Sequence, residues 1–194
     1  MSLPHWEYFL AIEQDLEKCT RYVEFDERNY KTFSLEFARI IVASGAECDT
    51  VMKLLCNSID SSKDPQDILQ YFPIVNSKYP KFIKYEIQIL RYKLVFLKPW
   101  ETWSETDSPD WWKNGYNKIK HERDKYFENA NLKNAIMATA GLLCTLLYYY
   151  EELKSKGSIS SIDIDLQQSP KLLSPKHYDS WQSVEILWEH EILK

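Results

Sequence analysis

The residues of this sequence that could do chemistry together lie in one short run, Tyr116-Asn117-Lys118-Ile119-Lys120-His121-Glu122-Arg123. Histidine has an ordinary pKa of about 6.5, which suits proton transfer near neutral pH. Lys113, Lys118, Lys120 and Arg123 surround His121 with positive charge. Arginine offers a rigid fork to two oxygens, whereas lysine offers a point charge. On a helix, Asn117 and His121 are neighbours at i and i+4. A polar helix face of this kind is most often only solvated, and that reading stands beside the chemical one.

No other constellation competes with it. There is no Gly-x-Ser-x-Gly and no phosphate-binding loop, and His121-Glu122 lacks the second histidine that a metalloprotease helix carries one turn later. His5, His177 and His190 are isolated. Asp163 and Asp165 alternate with Ile162 and Ile164, the pattern of a plain half-buried strand. Cys19, Cys48, Cys56 and Cys144 form no Cys-x-x-Cys pair and have no histidine at ligand spacing. They read as reduced core thiols in a cytoplasmic protein. Neither a metal nor a cofactor is expected.

The run must be positioned by a helix. Ser108-Pro109-Asp110 is a helix start, with serine as N-cap, proline at the first position and an acid in the first turn. The helix is expected over 109–128. At about 100° per residue, Trp112, Tyr116, Ile119, Tyr126 and Phe127 share a core face. Asp110, Lys113, Asn117, His121, Asp124 and Glu128 share the opposite one. Lys120 flanks the polar face, and Arg123 is expected toward the apolar side with its stem packed.

Apolar periodicity predicts further helices over 4–25, over 33–57 with Thr32 or Ser34 as cap, and over 131–154 from Asn129 or Asn131. Residues 65–71 suggest a short helix, with Pro73 and Pro80 as breakers. Glu36 and Arg39 are spaced for a helical ion pair. Residues 84–97 suggest two short strands around Arg91-Tyr92-Lys93. Trp100, Trp103, Trp111 and Trp112 crowd 99–112; they serve either as a base-stacking platform or, better supported because cations are few there, as anchors of a loop. Residues 155–161 read as a linker, and 155–194 as an appendage packed on the domain formed by 1–154.

The chain has 194 residues, a length that suits one domain with a sizeable core. Seven Trp and thirteen Tyr argue for a packed chain, and only four Gly argue against a turn-rich β-sandwich or barrel. The net charge of −5 is unlike a basic nucleic-acid coat. The uncharged run 134–150 is shorter than the roughly 20 residues that span a bilayer, so it is expected to be a buried bundle helix and no membrane association is expected. The fold class is therefore mostly α, a bundle of four to five main helices with a small β-hairpin insertion.

The string Asn117-Lys118-Ile119-Lys120-His121-Glu122-Arg123, followed by a long apolar helix opening Ala130-Asn131-Leu132-Lys133-Asn134, resembles HEPN domains. The architectural resemblance spans 4–154, and the motif resemblance 116–134. HEPN proteins are helical bundles; many are metal-independent endoribonucleases of toxin–antitoxin and abortive-infection systems, and others are non-catalytic. The resemblance implies His121 as the motif histidine and Asn117 as the polar residue that follows the motif arginine. Tyr116 stands where the arginine would be. It further implies His121 as acid/base, Asn117 as its orienting partner and Lys120 as a positive charge, with Lys113, Lys118 and Arg123 near RNA phosphate. The implied partners are a second copy of the chain and RNA, or a cognate antitoxin. The alternative is a non-catalytic dimeric module that binds a partner protein or nucleotide.

Overall fold

The computed structural model describes residues 3–90, 96–160, 163 and 168–175. The chain is mostly helical, with a small antiparallel sheet at one side. Helix α1 spans Pro4–Cys19, α2 Leu35–Ile59, α3 Ile68–Lys78, α4 Lys118–Glu122 and α5 Leu132–Ser155. A π-helical segment, Trp111–Asn117, runs directly into α4.

The pair α2 and α5 forms the centre. The Ser34 hydroxyl caps α2 by accepting from the N–H of Phe37, and the Asn131 side chain caps α5 by accepting from that of Asn134. Of the paired cap expectations, Ser34 and Asn131 are the ones used. The hydroxyls of Ser44 and Thr139 meet across the α2–α5 interface at 3.2 Å, and the Cys48 thiol meets the Thr145 hydroxyl at 3.4 Å. The uncharged run of α5 is buried on nearly all sides, as its composition requires. Among the described residues no helix is long and apolar enough to cross a membrane.

Several boundaries differ from expectation. Helix α1 stops at Cys19 rather than near 25, and Tyr22 beyond it is exposed. Helix α3 starts at Ile68, capped by Asp67, and continues past Pro73. That proline lies on the exposed side of the helix, where water can take the carbonyl that its missing N–H leaves unpaired. Glu36 and Arg39 pair as the plain reading has it, with Asp15 of α1 joining at 2.6 Å.

Strands β1 (Ile87–Ile89) and β2 (Phe96–Leu97) pair antiparallel, and residues 91–95 between them lie outside the described residues. On its other edge β1 takes β3, Leu173–Pro175, from the C-terminal appendage. The Glu13 carboxylate fastens that appendage to α1 by accepting from the N–H groups of Lys171, Leu172 and Leu173. Asp163 takes a helical rather than a strand conformation, while Ile162, Ile164 and Asp165 lie outside the described residues, as do His177 and His190.

The four tryptophans of 100–112 are buried. Trp100, Trp103 and Trp111 donate their indole N–H groups to the carbonyls of Gly141, Ile68 and Pro99. They anchor the loop to the bundle and present no stacking platform. All four cysteines are buried and free, and desolvation pushes the Cys19 thiol up to about 11.

Candidate functional site

The motif run is held by an unusual helix. From Trp111 to Asn117 the backbone is π-helical, a wider turn than the α-helix and one found frequently at functional sites. Its inner side carries Trp111, Trp112, Gly115 and Tyr116, all buried. Each has a matched seat. The Trp111 ring lies so close to Gly141 of α5 that a Cβ there would stand 2.6 Å from it, and Gly115 faces the Asn134 amide at a distance that would put its own Cβ at 3.2 Å. Ser108 caps nothing in this helix, whose first turn instead sends the N–H groups of Trp112 and Lys113 to the Pro109 carbonyl. The helix ends at Glu122 rather than near 128; a short 3-10 turn, Phe127–Asn129, follows and leads into α5.

Tyr116, the first residue of the motif run, is a core residue, 3 % exposed, with its ring against Gly45 of α2 and edge-on to Trp112. Its hydroxyl accepts from Lys120 Nζ at 3.1 Å, and the ammonium also lies 5.1 Å from the ring centroid. Tyr116 thus contributes no positive charge of its own; it steadies that of Lys120.

Asn117, Lys120, His121 and Arg123 are all exposed. The expected polar face, from Asp110 through Asn117 and His121 to Glu128, faces outward as drawn. Arg123 does not turn to the apolar side. The shortened helix leaves it at the C-cap, exposed, on the same groove as Lys120 and His121. Among the described residues Asn117, His121 and Arg123 have no hydrogen-bond or ion-pair partner.

The other two cations are occupied elsewhere. Lys113 pairs with Asp107 at 3.0 Å. Lys118 pairs with Glu122 at 2.8 Å and lies 4.4 Å from the centroid of the Tyr126 ring. The hydrogen bond between Lys118 and Glu122 raises the lysine pKa and lowers that of the carboxyl, so both stay charged and bound to each other. Neither Lys113 nor Lys118 lines the groove.

The groove has a volume of about 760 Å³. Beside Lys120, His121, Arg123 and Asp124 it is lined by Leu35 and Val42 of α2, Ile119 of α4 and Phe127. Ile119 and Phe127 belong to the expected core face of the motif helix, whereas Leu35 and Val42 carry no expectation from the motif. The available signal was Leu35, an apolar residue between the cap Ser34 and the acid Glu36, where a helix start is ordinarily polar. Leu35 is 70 % exposed and Phe33, two residues before it, 51 %. Among the described residues no group of three or more His, Cys, Asp or Glu side chains is placed to hold a metal ion.

Set against known protein families, curated proteins and solved structures, the chain matches none. The chemical features of this face are the groove and its side chains. Together they offer one histidine for proton transfer, an unpaired guanidinium and a tethered ammonium for an anion, and an apolar floor.

Proposed function

We infer that this chain is an HEPN-like cytoplasmic protein that acts on RNA as a metal-independent endoribonuclease, working as a homodimer in a defence or toxin–antitoxin setting. The observation that carries this reading is the convergence of exposed Lys120, His121 and Arg123 on one groove, with His121 and Arg123 free of partners among the described residues. In such a reaction the ribose 2′-OH attacks the adjacent phosphorus and the 5′-oxygen leaves. One group removes the 2′ proton and another protonates the leaving oxygen, tasks that suit histidine. His121 of each protomer supplies one acid/base group. Asn117, one turn before it, orients the ring or the phosphate. Lys120 and Arg123 offset the charge that develops on the phosphoryl oxygens.

The experiment is incubation of purified protein with unstructured RNA in EDTA, followed by analysis of the product ends. Attack by the 2′-OH leaves a 2′,3′-cyclic phosphate and a 5′-hydroxyl. Intact RNA, or 5′-phosphate ends, would contradict the reading. Light scattering at high micromolar concentration should give a dimer, and a strict monomer would remove the two-protomer arrangement.

A second reading is a non-catalytic dimeric module that binds a partner protein or nucleotide. It is favoured by exposed Leu35 in the groove, by exposed Phe33 packed on Phe127 beside it, and by the buried tyrosine where the family has its arginine.

A further inference from the structure

The groove joins two unlike halves. Its floor is Leu35, Val42, Ile119 and Phe127. The Phe127 ring is steadied edge-to-face by Phe33, centroid to centroid 5.4 Å. Its rim is ionic, with Lys120, Arg123 and the opposing Asp124. The two cations differ. Lys120 is tethered to Tyr116. Arg123 is exposed and without a partner among the described residues.

An apolar partner alone would leave the Arg123 guanidinium beside it unsatisfied, and a free anion would leave Leu35 and Phe127 unused. A nucleotide of a strand uses both, because its base offers a flat apolar face and its phosphate an anion. Two cations against one acid leave the rim positive when His121 is neutral. The net charge of −5 makes that local patch the source of attraction. A base inside an A-form duplex is stacked and its face is not available, whereas an unpaired base can be splayed onto a protein surface.

We propose that this groove is a subsite for one unpaired nucleotide of an RNA strand, with the base laid on the Leu35–Phe127 floor and the phosphate gripped by the Arg123 fork next to His121. Arg123 thereby does, from the position two residues after the histidine, what an arginine at 116 would do from before it. The fork can engage two phosphate oxygens at once. The inference rests on the reading that this face acts on RNA.

The test is fluorescence anisotropy with a labelled, unstructured 2′-O-methyl RNA, whose blocked 2′-oxygen separates binding from cleavage, and with the same strand annealed to its complement. Wild type should bind the single strand at least about tenfold tighter than the duplex. Arg123→Gln should weaken single-strand binding by about tenfold and lower the salt slope by about one. Arg123→Lys should lie between the two. Leu35→Asp should also weaken single-strand binding by about tenfold, through the lost floor and the added negative charge. Both sites are exposed, and an acid in the first turn of α2 favours the helix.

Equal affinity for strand and duplex, or wild-type binding by either Arg123→Gln or Leu35→Asp, would overturn the subsite. If Leu35→Asp turns a dimer into a monomer while RNA binding is unchanged, the groove is covered by a second copy and the proposal is wrong. If wild type and both variants cleave unmodified RNA alike, the subsite falls and the ribonuclease reading stands. If wild type neither binds nor cleaves, both fall.

Discussion

The ring of Tyr116 lies directly on the backbone of Gly45: a methyl group built on that glycine would stand 2.3 Å from Cδ2 of the ring. The contact joins the motif helix to α2, and it explains why the first residue of the motif run is part of the core. The same tyrosine holds Lys120 by hydroxyl and ring, so a packing contact and the placement of a charge at the groove share one side chain.

Gly45→Ala tests that contact. Alanine is the better helix former by about 1 kcal/mol, but the new methyl cannot coexist with the ring, and overpacking costs about 1–3 kcal/mol. Chemical denaturation should show net destabilisation. A variant as stable as wild type or more so would show that Tyr116 does not press on α2.

Leu143→Ala tests the centrality of α5. Leu143 is fully buried, and truncation of a core leucine costs about 2–5 kcal/mol. A loss below about half a kcal/mol, typical of surface sites, would show that this helix is not central.

Glu13→Gln tests the fastening of the C-terminal appendage. One carboxylate oxygen accepts from Leu172 and Leu173, and the other from Lys171. An amide can replace only one of them; its NH2 must then face a part-buried backbone N–H, at a cost of about 1–3 kcal/mol. Limited proteolysis should cut the variant after Ser155 faster than wild type, and an unchanged pattern would contradict the latch.

Glu152 sets a pH dependence. It is 0 % exposed. Burial raises its pKa, but Lys78 at 2.6 Å, the Tyr79 hydroxyl at 2.7 Å and Lys156 at 3.2 Å outweigh that and hold it below the ordinary 4.5. A carboxyl with a depressed folded pKa contributes stability above its unfolded pKa and loses it as pH falls through the folded value. The urea midpoint of wild type should therefore fall as pH drops below about 4.5, and that of Glu152→Gln should fall less steeply. Parallel pH profiles would contradict the ion-pair cluster.

Much of this molecule is legible locally. The caps Ser34 and Asn131, the uncharged run of α5 and the alternation at Ile87 and Ile89 each follow from short-range chemistry. What was not legible depends on distant partners or on a change of helical period. The acid Glu13 looks like any surface carboxylate, and only the N–H groups of 171–173 make it a buried acceptor. Strand β3 has no local signal that separates it from loop; β1 creates it. A uniform 100° wheel places Tyr116 correctly inward, but it turns Arg123 inward too. The helix ends before that position, and the arginine faces solvent. As a whole the groove floor has no local signal, because Leu35 and Phe127 are far apart in sequence and meet only when α2 and the turn after α4 pack.

In the proposed ribonuclease reaction His121 moves the protons. The most direct measurement is the single-turnover cleavage rate of unstructured RNA in EDTA by wild type and His121→Ala. Wild type should cleave measurably and the variant should be slower by about 10² to 10⁴, the usual effect of removing a general acid/base, with the thermal melt unchanged because His121 is exposed. Equal rates for the two folded proteins, or no cleavage by wild type, would contradict it.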